Sequence, residues 1–327
     1  MKIVVMHSAD ALESPVDPVL EQLRNAVEGC GHQVQSLAVA NAVTPLVSAL
    51  TAAAPDLVFN LAESFGGKSA LESNVAALLN LLGLRYTGSS PAGLLLAGDK
   101  SLTKQVLSFH GIRTPEFATV FRGAVDWAGD IDFPLIVKPP QEDASLGITK
   151  KSVVHDLREL FTRIDELQSE FQQPVLVEQF VEGREFYVAV LGNVNARALP
   201  VIELDFSGFP AGVPRIASWA AKWGDDGAGS GEEYAGTRSV FPSDVAPDLL
   251  DRMQQVAVDA FHALRLRDYA RIDLRVTDAG EIFVIEVNPN CYLERESEFA
   301  RAAAAGGLAY DPLIARILEL ALARYSR

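Results

Sequence analysis

Two short segments near the C-terminal end of this 327-residue chain hold the side chains best suited to metal and anion chemistry: Arg271-Ile272-Asp273 and Glu286-Val287-Asn288. Each lies in a run of β-branched and other apolar residues, 270–276 and 281–287. The runs are joined by Thr277-Asp278-Ala279-Gly280, a short turn of the kind that closes a β-hairpin. Side chains alternate along a strand, so Arg271 and Asp273 share one face, and Glu286 and Asn288 share one face. Two carboxylates and an amide form a hard, all-oxygen donor set that suits Mg²⁺, which also takes waters and phosphate oxygens. An adjacent arginine can grip an anion or a developing oxyanion. A salt-bridged solvent face would use the same residue types, and for any one of them alone that is the simpler account. The set as a whole, followed by Pro289-Asn290, favours a site.

Further upstream, Lys138 closes the apolar run Phe133-Pro134-Leu135-Ile136-Val137 and precedes two prolines. An ammonium at the inner end of a buried strand needs a partner, and phosphate would serve. The neighbouring Asp143-Ala144-Ser145-Leu146-Gly147 has small residues whose backbone N–H groups can approach an anion. It lacks the terminal Gly-Lys-Ser/Thr of a P-loop, and no Gly-x-Gly-x-x-Gly follows the first strand, which argues against a P-loop nucleotidase and a dinucleotide enzyme. Glu178 ends an apolar strand and Glu185 follows the turn at Glu182-Gly183. Such carboxylates can accept from a purine amino group or ribose hydroxyls, or simply sit solvated at strand ends.

The elements that position these groups divide the chain. Residues 2–6, 33–39, 56–61 and 85–87 read as strands of an α/β pattern. Helices fall between them: one at 18–28, one opening at Thr44-Pro45, and one from a Ser69–Glu72 capping box to Gly83. That order implies a doubly wound parallel sheet with ligands beyond its carboxyl edge, where 63–69 is either a ligand loop or a plain connection. After Asp99 a helix bears Lys100 and Lys104. Strands are expected at 133–138, 148–154, 174–180 and 185–191, the last two as an antiparallel pair, with a helix opening near Asp156. Beyond these, strands are expected at 196–204 and 215–219. The Gly- and acid-rich loop 224–236, with little to bury, is the expected mobile segment. A long helix at 246–264, the hairpin and two C-terminal helices complete the chain.

Composition excludes several classes. Hydrophobic residues make up 49% and charged residues 22%, which describes a globular chain large enough for two or three domains. The net charge is −15 and the 28 basic residues are scattered, so nucleic acid is not an expected partner. No uncharged stretch approaches the ~18 residues that would span a bilayer, so no membrane association and a cytoplasmic location are expected. Cys30 and Cys291 cannot build a disulfide framework, and Cys291 reads as a packing residue because no histidine is near it to activate it.

Taken together, the chain resembles a D-alanine–D-alanine ligase-like member of the ATP-grasp superfamily over nearly its whole length. The likeness rests on Tyr86-Thr87-Gly88-Ser89, Asp99-Lys100, Gly111-Ile112-Arg113-Thr114-Pro115, Ile136-Val137-Lys138-Pro139, Glu142 to Gly147, Val177-Glu178-Gln179-Phe180, Glu185-Phe186 and the two hairpin segments. It implies a three-domain α/β and α+β fold. An N-terminal doubly wound parallel sheet (1–98) would hold substrate. A small central α+β lobe (99–190) and a C-terminal α+β lobe (191–327) would hold ATP between them.

By the same resemblance, Lys100 and Lys138 would contact ATP phosphates, with the loop of Ser145 and Gly147 folding over them, Lys222 on a mobile loop closing on the γ-phosphate, and Glu142 also in the nucleotide site. Glu178, Gln179, Phe180, Val181 and Glu185 would line the adenine and ribose pocket. Asp273, Glu286 and Asn288 would hold two Mg²⁺ ions, with Mn²⁺ an alternative. Arg271, Lys222 and Ser145 would be catalytic. The implied activity is an ATP-dependent carboxylate–amine ligase that joins a small-molecule acid to an amine through an acyl phosphate. Authentic D-alanine–D-alanine ligation and a non-catalytic nucleotide-binding regulator are the alternatives. Related ligases also suggest a homodimer through the first hundred residues.

The chain departs from the family pattern around the substrates. His7-Ser8-Ala9-Asp10-Ala11-Leu12-Glu13 replaces the family's Gly-Gly-x-Ser-x-Glu, leaving Glu13 as a substitute. Asn290-Cys291-Tyr292-Leu293 replaces Ser-Pro-Gly, and Ser297 lies among Glu294, Arg295, Glu296 and Glu298. Trp223 replaces the tyrosine beside the mobile-loop lysine. Glu13, Glu63, Arg271, Asn290, Tyr292 and Ser297 are therefore the expected substrate residues, and the charged stretch points to an acceptor other than D-alanine, such as a cationic one.

Overall fold

The computed structural model describes residues 1–8, 17–121, 124–127, 131–142, 144–210, 212–225, 227 and 229–325. Its first part is built as the apolar periodicity predicts: β1 (Lys2–Ser8), α1 (Pro18–Gly29), β2 (Gln33–Val39), α2 (Val43–Ala53), β3 (Leu57–Leu61), α3 (Glu72–Leu81) and α4 (Pro91–Ala97). The strands are parallel in the order β2-β1-β3. The expected fourth strand is a single parallel bridge from Tyr86 to Val58. Asp17 caps α1 by accepting from Val19 N–H. Two expected caps differ. No side-chain cap bond forms at the start of α2, which begins ahead of Thr44-Pro45. The expected capping box at Ser69 is a turn of 3₁₀ helix, and the Glu72 carboxylate accepts instead from the Asn290 amide at 3.0 Å.

The middle of the chain runs α5 (Lys100–Phe109), β4 (Phe117–Phe121), β5 (Ala124–Trp127), β6 (Leu135–Lys138), β7 (Val153–Val154), α6 (Leu157–Phe171) and β8 (Val175–Gln179). Its strands form a second sheet in the order β5-β4-β8-β6-β7. Leu135, Val137, Val175 and Val177 pack beneath α6 on one face, which turns Ile136, Lys138 and Glu178 to the other. The strand expected over 148–154 is mostly 3₁₀ helix, and only Val153–Val154 is extended.

The remainder comprises β9 (Arg184–Gly192), β10 (Arg197–Ala198), β11 (Ile202–Asp205), α7 (Trp219–Trp223), α8 (Glu232–Ala235), β12 (Arg238–Val240), α9 (Pro247–Ala263), β13 (Asp268–Val276), β14 (Ile282–Asn288), α10 (Glu298–Ala305) and α11 (Tyr310–Tyr325). The third sheet runs β12-β11-β9-β13-β14, with β10 on β9. Here the chain departs from expectation. β8 and β9 are not a hairpin: they belong to different sheets, and Gly183, at φ +148°, carries the crossing between them. The expected domain break at 190 falls inside β9. Residues 215–219 are not a strand, because Ser218 caps α7 by accepting from Ala221 N–H. The loop 224–236 contains α8, and the Glu233 carboxylate accepts from Ser218 Oγ at 2.5 Å.

Alternate residues of β9 and β13, such as Phe186, Val188, Ile272 and Leu274, pack against α9 in one core. A second core joins α1, α10 and α11 to β1, β3 and the opposite side of the third sheet. The N-terminal sheet is tied to the C-terminal part by Asp268, which is fully buried. It accepts from Gly88 N–H and from Arg324, both at 2.8 Å. Among the described residues, no helix is long and apolar enough to cross a membrane.

Candidate active site

The second and third sheets present polar faces to each other across a cleft lined by residues of both. The hairpin supplies its acidic end. β13 and β14 pair with Arg271 opposite Asn288 and Asp273 opposite Glu286, so all four stand on one face. A bulge follows, because Leu274 pairs with Val284 and leaves Ile285 as an extra residue. The bulge reverses the parity of β14, so Glu286 and Ile285 line the cleft while Val284 and Val287 enter the core.

Arg271 donates to both oxygens of Asp273, from Nε at 2.7 Å and from a terminal nitrogen at 2.9 Å, and its guanidinium lies 4.5 Å from the Tyr187 ring centre. The Asn288 amide donates to Asp273 at 3.2 Å, which leaves its own oxygen for another partner. Burial pushes the Asp273 carboxyl up; Arg271 opposes that and the neighbouring Glu286 adds to it. Burial acts against Glu286 as well, but Lys100 and Lys222 outweigh it and hold that carboxyl low. A buried carboxylate and a half-buried one, side by side with an amide oxygen, make a donor set that fits Mg²⁺. Among the described residues no three His, Cys, Asp or Glu side chains cluster as a metal site. The third protein oxygen here would be that of Asn288.

The basic end comes from one helix and one strand. Asp99 caps α5 by accepting from the N–H groups of Ser101 and Leu102. That start sets Lys100 and Lys104 one turn apart on the same face. Lys100 Nζ lies 2.7 Å from Glu286 in the third sheet and 2.6 Å from the Glu142 carbonyl oxygen. Lys104 reaches the second sheet, 3.3 Å from Glu178 Oε1, and Lys138 reaches the same oxygen at 3.0 Å. Between the charges the wall is apolar: Pro115, Ile136, Ile148, Phe180, Val181, Ile216 and Ile285.

Two loops meet over this cleft. Ser145 Oγ donates to the Ala217 carbonyl at 2.6 Å, Trp223 Nε1 to the Ala144 carbonyl at 3.0 Å, and Trp219 N–H to the Ile148 carbonyl at 2.9 Å. Gly147 permits the first loop to lie flat: at φ +75°, a Cβ there would stand 2.9 Å from the Phe171 ring.

Of the expected nucleotide residues, Lys100, Lys138, Ser145, Glu178, Gln179, Phe180, Val181, Glu185 and Lys222 all line the cleft. Two do not. Gly147 shapes the loop, and Glu142 turns its carboxylate to Gln173 at 2.7 Å while its carbonyl holds Lys100. The expected substrate residues scatter. Glu13 lies outside the described residues, and Glu63 is exposed, its N–H bonded to Ser8 Oγ at 3.1 Å. Asn290 bridges Tyr269 and Glu72, the Tyr292 hydroxyl donates to Asp17, and Ser297 donates to the Tyr292 carbonyl. The charged stretch around Ser297 is largely structural. Glu294 accepts from Gln22, while Arg295 pairs with Asp311 and covers Tyr310. Only Glu298 among these turns to the site, 3.9 Å from Arg271 and accepting from Ser239 at 2.9 Å. Cys291 is buried and its thiol is pushed up to about 12, as suits a packing residue.

Arg275 was missed as a site residue in the sequence, and so was the contact that Lys104, behind the cleft wall, makes with Glu178. Arg275 donates to Glu185 at 2.8 Å, lies 5.6 Å from the Phe180 ring centre and lines the cleft. The alternation Arg271, Asp273, Arg275 could have flagged it. Nothing local could have flagged Lys104, because its partner is on another element.

A family model described as the D-ala D-ala ligase C-terminus matches residues 106–319, the segment that carries the acidic hairpin and Lys138 of this cleft. The chain belongs to the D-alanine–D-alanine ligase family, and with it to the ATP-dependent carbon–nitrogen ligases. Members of the family include the D-alanine–D-alanine ligase of Syntrophotalea carbinolica, 32% identical over 298 residues, 90% of this chain and 88% of that one. The protein y4sG of Sinorhizobium fredii is 34% identical over 271 residues, 82% of this chain and 75% of that one. The fold matches the crystal structure of D-alanine–D-alanine ligase from Bacillus anthracis complexed with ATP, with a TM-score of 0.75 at 22% identity over 99% of this chain and 98% of that one. The three-domain ATP-grasp architecture is thus that of this family member.

Proposed function

We propose that this family member forms an amide bond between a small-molecule carboxylate and an amine other than the D-alanine pair, with ATP bound between the second and third sheets. The observation that carries the reading is the pairing of Asp273 with Glu286, which line one cleft together with Lys138 and Glu178, while Arg271 and Asn288 pair beside them on the same face of the hairpin. An N-terminal domain over 1–98 would hold substrate, a central lobe from 99 and a C-terminal lobe to 327 the nucleotide.

A carboxylate is a poor electrophile, and transfer of a phosphoryl group to it makes an acyl phosphate that an amine can attack, expelling phosphate. Lys100, Lys138 and Lys222 would neutralise the charge that spreads over the transferring group. Asp273, Glu286 and Asn288 would hold Mg²⁺, which supplies charge neutralisation between phosphate oxygens when bound. Glu185, held by Arg275, would accept from ribose hydroxyls, and Phe180 and Val181 would face the base. Arg271 would steady the oxyanion of the tetrahedral step. The Ser145 and Trp223 loops would keep water from the acyl phosphate. On the acceptor side Glu298 would set the charge. Burial opposes its ionisation, but the Arg271 guanidinium outweighs burial and keeps the carboxyl below its usual range.

The test is phosphate release from Mg-ATP against D- and L-amino acids and simple amines, alone and in pairs, with Asp273→Ala as control. Release that needs a particular pair, with a new amide in the mass spectrum, establishes the reaction and names its substrates. A D-alanyl-D-alanine product would instead establish the reading that the relatives' names favour. Release without any need for an amine would make the protein an acyl kinase. ATP binding without release across the panel would favour the regulator.

A further inference from the structure

Lys104 stands behind the cleft wall rather than in it. Its side chain is 1% exposed, and it is absent from the cleft lining that Lys100 and Lys138 share. Its ammonium lies 3.3 Å from Glu178 Oε1, and the same oxygen lies 3.0 Å from Lys138. Thus one carboxylate oxygen, on a residue itself 1% exposed, faces two buried ammonium groups. A second buried cation on one carboxylate is a costly redundancy in a resting protein. Burial lowers the Lys104 ammonium to about 8, with Glu178 opposing and Lys138 and Lys100 adding to the fall.

The redundancy has a use once an anion enters the cleft. Lys138 is the member of the pair that lines the cleft, and a phosphate would draw it from Glu178. Without Lys104 that move would leave Glu178 buried and uncompensated, which is the expensive way to break a buried pair. α5 holds Lys104 in place from the far side, one turn from Lys100. We propose that Lys104 is the resident counterion of Glu178 and so releases Lys138 to bind the nucleotide's phosphates. It is a positioning residue, acting through Glu178. The inference rests on the function proposed above.

The experiment measures binding of adenosine and of the non-hydrolysable ATP analogue AMP-PNP with Mg²⁺. The proteins are wild type, Lys104→Met, Lys104→Arg, Glu178→Gln and the Lys104→Met/Glu178→Gln double variant, each checked for folding by its melting curve. Lys104→Met should weaken AMP-PNP roughly 5- to 150-fold, the usual span of coupling between sites. Adenosine binding should stay as in wild type, and Lys104→Arg should restore AMP-PNP. In turnover, the KM for ATP should rise with kcat little changed. In the Glu178→Gln background, Lys104→Met should cost nothing further, because no carboxylate is left to hold Lys138. An equal loss in that background would mean that Lys104 acts on the phosphates directly, and an equal loss for adenosine would mean that it only supports the pocket; either overturns the proposal. Should Lys104→Met fail to fold, Glu178→Gln against the double variant still decides the matter. Wild type that binds neither probe would overturn the proposed function, and this inference with it, whereas binding without coupling overturns this inference alone.

Discussion

Replacing Gly183 with alanine tests whether the crossing between the two sheets is as tight as the structure makes it. Gly183 has φ +148°, and an added Cβ would lie 2.1 Å from the Val276 carbonyl oxygen and 2.8 Å from its carbon. Real Cβ atoms stay beyond 3.0 Å, so two backbones must part by roughly 0.9 Å. Neither is free to do so, because Val276 is paired with Arg184 at the end of the β9–β13 ladder. The disfavoured φ costs about 1–3 kcal/mol and the overpacking about 1–3 kcal/mol more, for a total of about 2–6 kcal/mol. That is a large share of the ~5–15 kcal/mol by which a domain is stable. The effect should reach the site too, since Arg275 donates to the Gly183 carbonyl at 3.2 Å while it holds Glu185. Urea unfolding should show the lower midpoint, and phosphate release a raised KM for ATP. A Gly183→Ala protein within about 0.5 kcal/mol of wild type, with unchanged KM, would refute the reasoning.

Arg271→Lys keeps the charge but loses the two-pronged grip on Asp273. We expect kcat in the phosphate-release assay to fall about 100- to 1,000-fold while AMP-PNP binding holds. Trp223→Phe removes one hydrogen bond between the two loops, worth about 0.5–1.5 kcal/mol, so the KM for ATP should rise roughly two- to tenfold. Lys104 makes stability depend on alkaline pH. Its folded pKa, about 8, lies below the ordinary 10.5, so between those values the unfolded chain binds the extra proton and stability rises with pH. Urea midpoints of wild type relative to Lys104→Met should therefore climb from pH 8 to 10.5, and a flat difference would count against the buried ammonium.

Much of the β13–β14 hairpin was legible because its determinants are local. A short turn joins strands whose apolar alternation puts Arg271 with Asp273 on one face and Glu286 with Asn288 on one face, but setting Asp273 opposite Glu286 took the bulge at Ile285, which the alternation does not announce. Local determinants also serve α5, where Asp99 fixes the start and the helical period fixes that Lys100 and Lys104 share a side. The apparent hairpin of β8 and β9 shows the limit. Both strands were visible, yet each pairs better with a distant strand than with its neighbour, so the short link became the crossing between two sheets. Lys100 and Lys104 show it again, since one turn of helix sends them to carboxylates in different sheets. The charged run at 294–298 invited a substrate role, but docking of α1 and α11 takes up Glu294 and Arg295 and leaves Glu298 to the cleft. Sequence determined which residues stand together along one strand, turn or helix, because those distances are set by covalent geometry and backbone hydrogen bonds. Only the tertiary structure decided which of them face the cleft across from one another, because that follows from burying apolar faces far apart in the chain.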